Sequence, residues 1–333
     1  MRIGYVAVGS IICSVILAAV ASAEAPQVAE IVPADVDAAF VVPAPAQLHA
    51  RWQRSPLGAL WDDAEVHAFL APLRQQLRMD EWDEFLREHS GYDLGELLEL
   101  APGGIAFYLE SFEQILDAAE GDESPAVVVL AGAGERADDL EALLLDLEED
   151  EADMERSSDD EPQYVDVERE YRDVTMRIER RVDLDEPRDE FTWVRVEGVI
   201  ALTGSPALAE AVVDRVLDST AGDTLLSSAE VSGAGAKLNG HDAVWYGNLK
   251  ALMPLLLDAV SEGIEESGGG AGIDPGLVYR ALGLDGTRSM YGWLDLDDSA
   301  ASFEVGVSAE DRGLFKVVSL GNKPAPRPDL VPV

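Results

Sequence analysis

Cysteine is almost missing from this sequence. Of 333 residues only Cys13 is one, and it lies in the apolar N-terminal stretch. Ile12 precedes it where a lipoprotein signal wants a small residue, so Cys13 is a poor lipid-attachment site. The rest of the chain has no disulfide, no thiolate nucleophile and no Cys-based zinc site, and must be stabilised by packing alone. Positive charge is also scarce. Lys and Arg number 24 against 65 Asp and Glu, a formal net charge of -41. Phosphate contacts need clustered bases, so nucleic acid is excluded as a partner, and anionic lipid surfaces are disfavoured. The four histidines (His49, His67, His89, His241) are scattered and form no His-Glu-x-x-His pattern, which argues against a two-histidine zinc site. No run of 18 apolar residues follows Val20, so no later segment is expected to span a membrane.

What is present is an ample core. Hydrophobic residues make up 47% of the chain, enough for one large or two ordinary domains and too many for wholesale disorder. Met1-Arg2, the apolar run Ile11 to Val20 and the small residues Ala21-Ser22-Ala23 read as an export signal over 1–23, cleaved before Glu24. The expected location is periplasmic or extracellular, with no membrane span after cleavage. The alternative is an uncleaved anchor in the inner membrane, since Ile3 to Val20 nearly spans a thin bilayer. Only four bases are lysine (Lys237, Lys250, Lys316, Lys323). GC-rich coding would explain that ratio but not the acidic excess. A surface so acidic repels itself and is tolerated better when counterions screen it, which points to saline surroundings.

Patterning predicts an α+β fold, with mixed helices and a mostly antiparallel sheet over 24–323. Ala38 to Val42 reads as a strand. Helical spacing runs from Gln47 to about His89, with Leu57, Leu60 and Trp61 and then Phe69, Leu70, Leu73 and Leu77 as apolar faces. Ser55-Pro56 reads as cap and first turn, Gly91 as a break, and Asp93 as the cap of a short helix. Ile105 to Leu109 and Ala126 to Leu130 are strands, followed by a helix from Arg136 with Leu140, Leu143, Leu144 and Leu147 as its stripe. Between Asp138 and Glu161, 13 of 24 residues are acidic, so 148–162 is expected to be a mobile loop. Val174, Met176 and Ile178 alternate with polar residues, the period of a half-buried strand. Glu197-Gly198 is a two-residue hairpin turn between Phe191–Val196 and Val199–Thr203. Ser205-Pro206 opens a helix with Leu208, Ala211, Val212 and Val216 on one face. Asp242 to Tyr246 is a strand, Lys250 to Val260 a core helix, Gly268 to Gly272 a linker, and Pro275 to Leu282 a helix. Met290–Leu296 and Ser302–Val307 form a closing hairpin, and 324–333 is a Pro-rich tail.

Two related halves, about 30–204 and 205–323, are a further expectation. Asp37-Ala38-Ala39-Phe40-Val41 is similar to Asp242-Ala243-Val244-Trp245-Tyr246, and Ile105–Leu109 to Met290–Leu294.

Val32-Pro33-Ala34-Asp35, Ser55-Pro56-Leu57-Gly58-Ala59-Leu60-Trp61, Gly198 to Thr203, Asp223-Thr224-Leu225-Leu226-Ser227 and Ala243-Val244-Trp245-Tyr246 together give most of the chain a likeness. The chain resembles the DUF3352-type exported proteins of unknown function from planctomycetes and similar bacteria. The resemblance implies export and a mixed α+β fold. It implies no reaction and supplies no catalytic residues. The stretch from Ser228 to Gly240 departs from the pattern, being Gly- and Ala-rich where a longer helix is usual.

Several motifs invite chemistry. Gly132-Ala133-Gly134-Glu135-Arg136-Ala137 follows a strand and opens a helix as a dinucleotide-binding turn does. Glu135, Asp138 and Asp139 would repel a pyrophosphate there, so a plain tight turn is the better reading. The acidic clusters Asp183, Asp185, Glu186, Asp189, Glu190 and Asp295, Asp297, Asp298 offer hard oxygen ligands. Asp183, Asp185, Asp189, Asp295, Asp297 and Asp298 are therefore the calcium candidates, although neither cluster has EF-hand spacing. No other cofactor is expected. No Gly-x-Ser-x-Gly elbow occurs. The six tryptophans fit a core better than a sugar platform. The expected function is thus a non-catalytic binding or structural protein of the cell envelope, with an envelope or extracellular partner. The alternative is a secreted carboxylate-dependent hydrolase, assisted by calcium. A third reading is a salt- or calcium-stabilised surface-layer component.

Overall fold

A computed structural model describes residues 27–76, 90–120, 125–155, 164–182, 188–218, 224–227, 240–266 and 275–310. The proposed signal, 77–89 of the long helical stretch, Asp183 and Asp185, the Gly268–Gly272 linker and the Pro-rich tail lie outside these residues. The fold is α+β. Ten strands form one sheet: β1 (Ala38–Val42), β2 (Ile105–Leu109), β3 (Val127–Gly132), β4 (Tyr164–Tyr171), β5 (Val174–Arg181), β6 (Arg188–Val196), β7 (Val199–Thr203), β8 (Ala243–Gly247), β9 (Thr287–Leu296) and β10 (Ala301–Ala309). Their order is β10-β9-β8-β1-β2-β3-β7-β6-β5-β4, and the pairs from β1 to β4 along it are antiparallel. The described α-helices are α1 (Pro45–Arg54), α2 (Pro56–Trp61), α3 (Ala64–Gln76), α4 (Leu94–Leu97), α5 (Phe112–Glu120), α6 (Ala137–Glu155), α7 (Pro206–Asp218), α8 (Leu249–Glu266) and α9 (Pro275–Ala281).

By compactness the chain divides into one unit of 1–246 with 292–304 and a second of 247–291 with 305–333. This division does not run at 204/205, where the sequence places the boundary between related halves.

In the first unit the strands at the sheet centre are buried at most positions. Val128 and Leu130 of β3, Tyr108 of β2 and Ile200 of β7 are almost fully enclosed. Helix α6 brings Leu143 against Leu97, Leu98, Leu100 and Ile105, with Leu140 and Ala131 at the edge of that cluster. Helix α7 packs on β5, β6 and β7 and buries Leu208, Ala209, Val212 and Val213. Its buried face is thus rotated from the expected one, for Ala211 is exposed. In a helix a one-residue change of register turns the face by about 100°, and the sheet beneath selects which apolar rows go inward.

Local signals act as expected where they are self-contained. Ser55 Oγ accepts the Gly58 N–H at 3.1 Å, with Pro56 in the first turn. Asp93 and Glu96 form a reciprocal capping box at 2.9 and 3.0 Å. Glu197 and Gly198 both have positive φ, as a type I′ turn requires, and join β6 to β7. Met176 and Ile178 are buried on β5.

Three expectations are corrected. Helix α6 runs to Glu155, eight residues into the stretch read as a mobile acidic loop. Glu, Leu, Ala and Met are strong helix formers, and like charges cost only a few tenths of a kcal/mol per i,i+4 pair. Phe69 is 82% exposed, although the spacing around it reads as an apolar face. In the second unit, Leu256 and Val260 of α8 are exposed, so α8 is not the core helix its composition implies. Apolar spacing says that a face exists, not that a partner covers it.

Candidate functional site

The polar constellation best defined in the first unit lies where α1 meets the β9–β10 turn. Arg51 and Arg54 are three apart on α1 and so share a face. Asp242, just before β8, is the hub. Its N–H donates to Leu294 O at 3.1 Å, its Oδ2 accepts Leu296 N–H at 2.8 Å, and its Oδ1 accepts Arg51 Nη1 at 2.6 Å. The Asp242 side chain is 7% exposed and that of Arg51 40%. A buried carboxylate is tolerated only when its oxygens are satisfied, and here both are.

Arg54 Nε lies 3.3 Å from Asp298 Oδ1 at the rim. Asp297 Oδ1 accepts the Ser299 N–H, the Ser299 hydroxyl and the Ala300 N–H, each at 2.7 Å. These bonds, those from Ser299 first, hold the Asp297 carboxyl below its ordinary range. Arg51, Arg54, Leu296, Asp297, Asp298 and Ser299 line an open cleft of about 390 Å³. Nearby in sequence, His241 Nδ1 sits 2.7–2.8 Å from both Asp295 oxygens, and its ring stacks on the buried Trp293 with centroids 5.0 Å apart.

The calcium candidates are thus distributed. Asp295, Asp297 and Asp298 are neighbours in sequence, but each turns to a different partner: His241, its own turn, and Arg54. Asp189 on β6 accepts Arg180 Nε at 2.5 Å across to β5. Six strand steps separate β6 from β9 in the sheet, about 29 Å at 4.8 Å per step, so Asp189 and Asp295 do not meet. Among the described residues no three metal-ligating side chains are gathered into one group. The Gly132–Ala137 turn directs donors at the neighbouring β6–β7 turn, since the Ala133 and Gly134 N–H groups donate to Gly198 O at 2.9 and 2.8 Å.

Sequence reasoning missed Arg51, Asp242 and His241. Arg51 and Asp242 are separated by 191 positions and His241 and Asp295 by 54, and no local pattern announces either pair. The β4–β5 hairpin was also hidden. Its turn residues Arg172 and Asp173 both have positive φ without a glycine. Arg172 reaches Asp214 and Asp218 of α7 at 2.7 and 2.6 Å, and the Tyr171 hydroxyl donates to Asp214 at 3.0 Å. Tertiary ion pairing holds a turn that its own sequence does not favour.

No family model, curated protein or solved structure matches this chain.

Proposed function

We propose that this chain is an exported, non-catalytic binding or structural protein of the cell envelope, whose partner is an envelope or extracellular component. One observation carries the reading. The charged groups around the cleft are engaged with one another and with the backbone: Asp242 with Arg51 and Leu296, Asp298 with Arg54, and Asp297 with its own turn. They fasten α1 to the β9–β10 hairpin rather than converging on an open position. The signal-like residues 1–23, the acidic surface and the likeness to DUF3352-type exported proteins support export.

The test has two arms. The mature protein is immobilised and challenged with envelope extract over a range of NaCl. It is also assayed against glycan, ester and peptide substrates with and without calcium. The reading expects saturable retention of a defined component and no turnover. Recovery of the mature form from the cytoplasm, or turnover abolished by Asp295→Asn, overturns it.

A second reading, a secreted carboxylate-dependent hydrolase assisted by calcium, is favoured by one observation. Asp295 engages His241 at Nδ1. A carboxylate on one ring nitrogen leaves the other to exchange protons, as in a general base. That reading expects turnover that is lost in Asp295→Asn, with a pH profile that changes in His241→Gln.

A further inference from the structure

We propose that the open cleft where α1 meets the β9–β10 turn binds a hexuronate, a sugar bearing a carboxylate, an assignment that rests on the binding reading of the chain and names its ligand class. The residues that line the cleft, Arg51, Arg54, Leu296, Asp297, Asp298 and Ser299, are all described. Its volume of about 390 Å³ falls within the roughly 300–1,000 Å³ of small-molecule sites.

Each arginine is anchored through one nitrogen and keeps a whole edge of its fork. Arg51 Nη1 donates to Asp242 Oδ1 at 2.6 Å, and among the described residues its Nε and Nη2 have no partner. Those two nitrogens form the side-on edge that matches both oxygens of a carboxylate. Arg54 Nε donates to Ala50 O at 3.1 Å and lies 3.3 Å from Asp298 Oδ1. Its two Nη groups, the end-on edge, have no partner among the described residues. The buried Asp242 holds Arg51, so one edge is positioned before a ligand arrives. In a chain with 24 bases and 65 acids, two guanidinium groups with donors to spare stand three residues apart on one helix.

The acids beside them choose the rest of the ligand. Both Asp242 oxygens are satisfied, by Arg51 and by the Leu296 N–H. Asp297 takes its three hydrogen bonds on Oδ1, and Asp298 meets Arg54 through Oδ1. The Oδ2 atoms of Asp297 and Asp298 are left as acceptors for hydroxyl groups. Donor edges for a carboxylate next to acceptors for hydroxyls fit a sugar acid. An acidic peptide brings carboxylates with few hydroxyls and meets Asp297 and Asp298 as repulsion. The net charge of -41 repels any anion at long range. Salt at 0.15 M screens that repulsion beyond about 8 Å and weakens contacts at hydrogen-bond distance much less.

Calorimetric titration of the full chain with galacturonate, galactose and an oligoglutamate peptide, in about 0.15 M NaCl, tests this. Galacturonate is expected to bind saturably and more than about tenfold more tightly than galactose, which lacks the carboxylate. Arg54→Gln and Arg51→Lys are each expected to weaken galacturonate binding about tenfold or more, because a lysine has no bidentate edge. Arg51→Lys keeps a cation for Asp242, and the Arg54 side chain is 61% exposed, so both variants are expected to melt as the parent does. The comparison of the two sugars on the parent needs no variant. The proposal fails if galacturonate binds no more tightly than galactose, or if both variants bind it as the parent does. Tighter binding of the peptide overturns it in favour of an acidic protein partner. Retention of an envelope component by a chain that binds no galacturonate refutes the ligand class alone. Loss of both refutes the binding reading with it.

Discussion

Asp37 and Asp242 make the same bond in corresponding places. Asp37 donates its N–H to Leu109 O at 2.9 Å, and Asp242 donates its N–H to Leu294 O at 3.1 Å. Each carboxylate then accepts a backbone N–H just beyond: Phe112 at 3.0 Å and Leu296 at 2.8 Å. Each aspartate precedes a strand, β1 or β8, and these two lie side by side at the join of the two strand trios.

Loss of either carboxylate strands a backbone donor, and Asp242→Ala also leaves Arg51 without its partner. Asp242→Ala is expected to cost about 2–4 kcal/mol and Asp37→Ala about 1–2 kcal/mol. Asp242→Asn keeps an acceptor for Leu296 and should cost less than Asp242→Ala. Urea unfolding of the three variants at pH 7 checks the order, and equal losses for Asp242→Ala and Asp242→Asn would contradict it.

Gly198 has φ +79°, and a Cβ there would lie 2.9 Å from Gly134 Cα. Gly198→Ala therefore adds strain at a left-handed position and presses on the turn before α6. A loss of about 2–3 kcal/mol is expected. A melting temperature equal to that of the parent would show that the turn can move aside.

The Asp297 and Asp218 carboxyls are both held below their ordinary values, Asp297 by hydrogen bonds from Ser299 and Ala300, Asp218 by hydrogen bonding to Arg172. A depressed folded-state value means that the stabilisation is complete above the unfolded value, near pH 4, and is lost as pH falls through the folded one. Acid titration of Asp297→Asn and Asp218→Asn should give a shallower loss of stability below pH 4 than the parent. Parallel curves would remove these two groups as contributors. The sites are exposed, so each effect is small.

With a net charge of -41, self-repulsion falls as ions screen it over about 10 Å at 0.1 M and 3 Å at 1 M. The melting temperature is expected to rise steadily with NaCl. A further rise with calcium at constant ionic strength would single out a specific ion site, and a flat response to both salts would refute electrostatic limitation of stability.

Composition, spacing and turn chemistry determined much of this protein on their own. A cap needs one side chain and the next turn of backbone, so Ser55 and Asp93 were legible. A type I′ turn needs two residues that tolerate positive φ, so Glu197-Gly198 was legible too. Period-2 alternation placed Met176 and Ile178 inside β5. The expected α+β class rests on such local rules, because each concerns groups within a few residues of one another. Tertiary structure alone decided the rest. Arg51 meets Asp242, and Asp295 meets His241, only because the sheet order sets β8 beside β1 and β9 beside β8. Arg172 holds a left-handed turn because α7 brings Asp214 and Asp218 to it. Which face of α7 goes inward, and that Phe69 stays outside, depend on what lies opposite in space, and a linear pattern carries no record of its partner.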